Sequence, residues 1–119
     1  MRTVTADELW QWLHDGDEIV IADVRDGGPF ARSHILAAAT IPLSQIEVLM
    51  PVMVPRLSTR VVLVDEGGLQ ASRAHSVLES NGYSDLWVLG GGQPAWESSG
   101  RQVFSGSGII SKAFGELVE

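Results

Sequence analysis

The sequence predicts an α/β domain built on a parallel sheet with helices on its faces. Two observations carry this. The runs Glu18–Arg25, Val61–Val64 and Leu86–Leu89 are rich in β-branched and apolar residues, as strands buried on both faces are. Between them lie segments whose apolar residues recur at helical spacing, and the strand–helix alternation calls for right-handed crossovers.

Taken in order, Arg2-Thr3-Val4 is read as a short edge strand. Thr5-Ala6-Asp7-Glu8 is a capping box, with Glu8 three residues after the Thr5 cap. Leu9, Trp12 and Leu13 form a helical stripe, Trp10 lies off it, and Gly16 is the expected stop. The run Glu18–Arg25 is broken by Asp26-Gly27-Gly28-Pro29. Phe30–Ile35 reads as a short helix, and Ala39–Pro42 as a short strand ended by proline. Leu43, Ile46 and Leu49 have helical spacing, whereas Met50–Leu57 holds Pro51 and Pro55 and is not expected to be helical throughout. After the strand Val61–Val64, the segment Ala71–Asn81 is a helix with Ala71, Ala74, Val77 and Leu78 inward and Gly82 as its C′ residue. Leu86–Leu89 is the last strand, Gly90-Gly91-Gly92 a turn, and Gln93–Ser99 a final helix. This gives a domain over residues 1–100. Residues 101–119 are a linker or C-terminal arm: Ser-Gly-Ser-Gly is linker-like and Ile109–Glu119 resembles the start of a helix. That tail is either the beginning of a further domain or an arm that packs back.

The chain has 119 residues, 45% hydrophobic, enough for one core. It contains no cysteine, which removes disulfides, thiolate metal sites and a cysteine nucleophile together. The net charge is −7, and the eight basic residues are scattered singly. Nucleic acid and anionic membranes are therefore not expected partners, since both need clustered Lys and Arg. The longest uncharged run, Ser33–Ile46, has 14 residues and contains Pro42, too short to span a bilayer. No signal peptide is visible, and a cytoplasmic location is the expectation.

The stretch most worth chemical attention is the loop Asp65-Glu66-Gly67-Gly68-Leu69-Gln70, between a buried strand and a helix. Ligands of open α/β sheets sit at such loops, and the following helix directs its free amides there. Yet the loop opens with two carboxylates and holds no evident nucleophile. It is not a Walker loop, lacking Gly-Lys-Ser/Thr. Ser72 is not in a Gly-x-Ser-x-Gly elbow, and Gly90–Gly92 is not a Gly-x-Gly-x-x-Gly fingerprint. His14 and His75 have no ligand-spaced partners, so no metal or other cofactor is expected.

Several stretches resemble the rhodanese-like (sulfurtransferase) family. Ile21-Ala22-Asp23-Val24-Arg25 is similar to its strand ending in Asp-Val-Arg. Phe30-Ala31-Arg32-Ser33-His34-Ile35, with Ala38 and Ile41-Pro42 after it, resembles Phe-x-x-x-His-Ile…Ala…Ile-Pro. Gly82-Tyr83 followed by Val88-Leu89-Gly90-Gly91-Gly92-Gln93-Pro94-Ala95-Trp96 resembles the closing signature. The match runs in order from about Val4 to Gly100. The resemblance implies a five-stranded parallel sheet with helices on both faces. It also implies a loop after Val61–Val64 that begins with a cysteine, whose thiolate takes sulfane sulfur as a persulfide within a ring of backbone N–H groups. Aligned without gaps, that position is Asp65; with one inserted residue it is Val64. Glu66, Leu69 and Gln70 stand where active members often carry Arg, Lys or Thr. Inactive domains of tandem members resemble this pattern, often with Asp at the cysteine position.

The expectation is thus a vestigial active-site loop, Asp65 to Gln70, in a catalytically inactive binding or structural module of a larger sulfurtransferase-related protein. The partners would be other domains of the same chain or another protein. The alternative is a tandem-domain thiosulfate-type sulfurtransferase whose cysteine lies in another domain. A third reading makes Asp65 and Glu66 a general-base pair; against it, Asp65 serves as a helix cap and Glu66 is solvated. Asp23, Arg25, His34 and Trp96 are expected to be structural, with Arg25 the basic group left near the pocket and His34 fixed between the Phe30 helix and the Ile41 strand. The four tryptophans are expected mostly in the core. One of them, with Met50 and Met53, would make an exposed apolar docking patch.

Overall fold

A computed structural model describes residues 1–35 and 37–105. The strands are β1 (Thr3–Val4), β2 (Val20–Asp23), β3 (Ala38–Thr40), β4 (Val61–Val64) and β5 (Leu86–Leu89). The α-helices are α1 (Ala6–Trp12), α2 (Gly27–Arg32), α3 (Ile46–Met53), α4 (Gln70–Ser80) and α5 (Gly92–Ser98), and a 3-10 turn, Leu43–Gln45, leads into α3. All pairings are parallel, in the order β1-β5-β4-β2-β3.

The alternation of side chains along each strand divides the core between the two faces. Val61 and Leu63 join Ala22 and Val88 under α3 and α4, with Met50, Ala71, Ala74 and Leu78. Val62 and Val64 join Val4, Ile21 and Leu89 under α1 and α5, with Leu9 and Trp96. Helix ends follow their local chemistry. Thr5 Oγ1 accepts from Glu8 N at 3.1 Å and Glu8 Oε1 from Thr5 N at 3.0 Å, closing the capping box. At the end of α4, Tyr83 N donates to Leu78 O and Gly82 N to Glu79 O, each at 3.1 Å, with Gly82 at φ +96°. That reciprocal pair is a Schellman motif.

Several boundaries differ from expectation: α1 ends at Trp12, ahead of the expected stop at Gly16, and the run Glu18–Arg25 is strand only over Val20–Asp23. Helix α2 begins at Gly27 rather than Phe30, because the first amides of a helix have no partner and Pro29 there forfeits nothing. His34 and Ile35 leave the helix, and His34 pairs antiparallel with Phe104. Helix α3 runs through Pro51 to Met53. Only the amide that would reach Glu47 is missing, and Glu47 is exposed to water. Residues 101–104 are not a free linker: Phe104 exchanges backbone hydrogen bonds with His34, both at 2.8 Å, and is buried. The expected helix Ile109–Glu119 lies outside the described residues.

Candidate functional site

Strand β2 connects to β3 on one side of the sheet, and β4 connects to β5 on the other. The crevice at the carboxyl ends of β2 and β4 is therefore the topological switch point, where ligands of open α/β folds bind. The loop after β4 carries Asp65–Leu69, and the loop after β2 carries Val24–Asp26. Both sets of sequence-selected residues, Asp65 to Gln70 and Asp23 with Arg25, meet there.

Asp65 is 2% exposed. Its Oδ1 accepts from Gly67 N at 2.7 Å and its Oδ2 from Ala71 N at 2.9 Å. It does not stand at the N-cap position, which is Leu69, but reaches over the loop to an amide in the first turn of α4. The carboxylate thus occupies the amide cradle from within, where charge-assisted hydrogen bonds of this kind contribute about 1.5–3 kcal/mol each. Glycines make the enclosure possible. Gly67 has φ +89°. Gly92, at φ +62°, packs so closely that a Cβ would lie 2.4 Å from Asp65 O and 2.5 Å from Gly67 N. Gln93 N closes the loop onto Asp65 O at 2.7 Å.

Arg25, expected as the remaining basic group of the pocket, is 3% exposed and fully engaged. Its Nε and Nη2 grip Asp23 Oδ1 and Oδ2 at 2.9 and 2.7 Å, its Nη2 also donates to Ser33 O at 2.6 Å, and its Nη1 donates to Glu66 Oε1 at 2.7 Å. Burial opposes its charged form, but the hydrogen bonds it donates to Asp23 and Glu66 outweigh that and raise the guanidinium pKa above its ordinary value. Glu66 is consequently not simply solvated: half its side chain is exposed, and the rest is drawn over Arg25. Asp23, Asp65 and Glu66 against Arg25 leave the site with two more acidic than basic groups. Gly67, Gly68 and Leu69 lie on the surface, and Gln70 is half-buried.

The other selected residues, His34 and Trp96, make contacts with Phe30, Phe104 and Gln102 rather than with the loop after β4. His34 is buried, stacked on Phe30 at 4.1 Å between ring centroids, with Nδ1 at 2.9 Å from Phe30 O. Trp96, also buried, donates from Nε1 to Gln102 O at 3.1 Å, tying the tail to α5. Sequence reasoning missed Ser33, Gly92 and Gln93 as partners of the site. The Gly90–Gly92 run signalled a turn, but nothing in it signalled which loop that turn would touch. Met50 was also misplaced: it is fully buried, and the exposed apolar residues of its segment are Val48, Val52 and Met53. Among the described residues, no group of three or more His, Cys, Asp or Glu could hold a metal, and no helix is long and apolar enough to cross a membrane.

Comparison with known proteins agrees with this architecture. The model of the rhodanese-like domain matches residues 5–99. Thiosulfate sulfurtransferase GlpE of Pseudoalteromonas translucida is 29% identical over 87 residues, 73% of this chain and 81% of that protein. The probable adenylyltransferase/sulfurtransferase MoeZ of Mycobacterium tuberculosis is 32% identical over 94 residues, 79% of this chain. The crystal structure of a thiosulfate sulfurtransferase from Pseudomonas aeruginosa superposes with a TM-score of 0.89 at 38% identity, covering all of this chain. In the last two the chain spans only about a quarter of the longer protein, 24% and 23%.

Proposed function

The chain belongs to the rhodanese-like domain family, and from that premise we propose that it is a catalytically silent member acting as a binding or structural module. The observation that carries the proposal is Asp65. Family-type sulfur transfer needs a nucleophile that can accept sulfane sulfur, inside a cradle of N–H groups open to an anion. Here the chain has no cysteine, and two amides of the cradle are already bonded to a fixed carboxylate. A second anion would meet Asp65 and Glu66 directly. At about 4 Å and an effective dielectric near 20, each like charge opposes it by roughly 4 kcal/mol before solvent screening. The general-base reading finds no support, because both Asp65 oxygens are committed and the side chain is buried.

Thiosulfate:cyanide assays on thiol-free, metal-free protein should therefore give no thiocyanate above the uncatalysed background. Turnover in such a preparation would sink the proposal. Asp65→Cys should restore little, no more than about a hundredth of the rate of the Pseudoalteromonas enzyme run alongside. The reason is that Glu66 still faces the substrate and Arg25 is still held by Asp23. A robust rate from that single change would mean that the cradle has kept its affinity for anions.

A second reading is favoured by one observation, the alignment of the whole chain with about a quarter of a much longer sulfurtransferase. In that reading the silent domain helps to build a tandem enzyme whose cysteine lies elsewhere. The two readings separate on whether the complete reading frame also encodes a rhodanese-like segment with cysteine after its central strand.

A further inference from the structure

We infer that the chain's own C-terminal segment, residues 109–118, seats as an amphipathic helix on a cavity beside α1. The cavity measures about 530 Å³, and its walls include Trp10 and Leu13 at the end of α1, Ile35, and Phe104 of the segment after α5. Trp10 is 44% exposed. The charged and titratable groups of the walls are engaged within the domain. Arg101 Nη1 donates to Asp7 Oδ1 at 2.8 Å, its guanidinium lies 5.3 Å from the centre of the Trp10 ring, and His14 Nδ1 is 2.7 Å from Trp10 O. The cavity therefore offers apolar and aromatic surface, which suits a row of apolar side chains. It shares no residue with the loop after β4, so the docking holds whether or not the chain is catalytically silent.

Pattern and tether decide the occupant. Wound at about 3.6 residues a turn, the sequence 109–119 sorts completely. Ile109, Ile110, Ala113, Phe114, Leu117 and Val118 take one half of the circumference, and the serine, the lysine, the glycine and both glutamates take the other. A helix of about eleven residues with a glycine inside it does not stand alone in water, so its apolar row needs a surface. The cavity is the surface within reach. Phe104 is one of its walls and is fixed there by two backbone hydrogen bonds with His34, both at 2.8 Å. Between Phe104 and Ile109 lie only Ser105-Gly106-Ser107-Gly108, a flexible sequence able to turn the chain back. So short a linker holds the segment at an effective concentration in the millimolar range, about fifty times that of a second copy in a solution of about 20 μM.

Hydrogen exchange on the 119-residue chain is the test. Amides of residues 112–118 should exchange at least about tenfold more slowly than in a free peptide of residues 105–119. The rate should not change between about 20 and 200 μM protein, as an intramolecular contact requires. Trp10→Ser should abolish the protection, whereas Val52→Asp, on the exposed face of α3, should leave it intact. Phe114→Asp approaches the contact from the other side and leaves the cavity walls unaltered. It should abolish the protection and move the indole N–H signal of Trp10 in NMR spectra, while the signal of Trp87, on β5, stays in place. An unprotected segment, protection that survives Trp10→Ser, or a Trp10 signal indifferent to Phe114→Asp overturns the inference. Protection that grows with protein concentration assigns the cavity to the tail of a second copy, and protection lost on Val52→Asp assigns the tail to α3; each of these overturns it as well.

Discussion

Replacing Arg25 by methionine should destabilise the domain by about 3–5 kcal/mol, the usual consequence of removing one partner of a buried ion pair. Asp23 is wholly buried, and its carboxylate is held by three donors of Arg25: the backbone N–H, Nε and Nη2. Methionine can follow the path of the side chain but leaves that carboxylate with the backbone N–H alone. The carbonyl of Ser33 loses its donor too, and Glu66 loses its anchor across the crevice. For a domain of this size the melting temperature should fall by about 10–20 °C. Arg25→Lys keeps the charge without the planar fork and should fall between the two. Asp23→Asn combined with Arg25→Met should be more stable than Arg25→Met alone, because the unpaired buried charge is gone. Urea titrations of the four proteins would decide the matter. A loss below about 1 kcal/mol for Arg25→Met would mean that the buried pair contributes little beyond its own desolvation cost.

Gly92→Ala should destabilise by at least about 3 kcal/mol, through two effects that add. The residue sits at φ +62°, where a side chain carries a strain of order 1 kcal/mol or more. Its Cβ would also lie 2.4 Å from Asp65 O and 2.5 Å from Gly67 N. Both neighbours are backbone, so relief requires moving the whole loop. Two other glycines separate the contributions. Gly16, at φ +81° with open space around it, isolates the strain, and its alanine variant should lose about 1 kcal/mol. Gly27 has neither strain nor a close neighbour and sits in the first turn of α2, so its alanine variant should be neutral or slightly stabilised. If all three variants lost the same amount, the packing of Gly92 on the loop would not be what matters.

Much of the fold was legible because its signals are local. Val61–Val64 and Leu86–Leu89 carry their burial in their own composition, and both strands have the expected bounds. The capping box at Thr5 and Glu8 and the C′ role of Gly82 depend on residues within one helical turn, so their chemistry can be read without the fold. Where the reading slipped, a local rule met a tertiary circumstance. The helical spacing of Leu43, Ile46 and Leu49 did not show where α3 would end: it runs past Leu49 through Pro51 and stops at Met53, short of Pro55, since packing of Ile46 and Met50 in the core offsets a single lost hydrogen bond. Met50 was grouped with Met53 on hydropathy alone, and only the rotation of the helix distinguishes them.

The sequence by itself determined the class of domain, the position of the loop that matters, and the absence of any thiol to do the family's chemistry. It did not determine what the acidic residues of that loop do. Whether Asp65 faces water or the amides of Gly67 and Ala71 depends on how Gly92 and Gln93 press the loop from another part of the chain. Whether Arg25 is free to meet a ligand depends on Asp23 two residues away and on Glu66 forty-one residues away. Those contacts join segments that only the parallel packing of β2, β4 and β5 brings side by side. Residue types and spacing can place a carboxylate at the end of a strand, but its partners are supplied by the neighbouring strand ends.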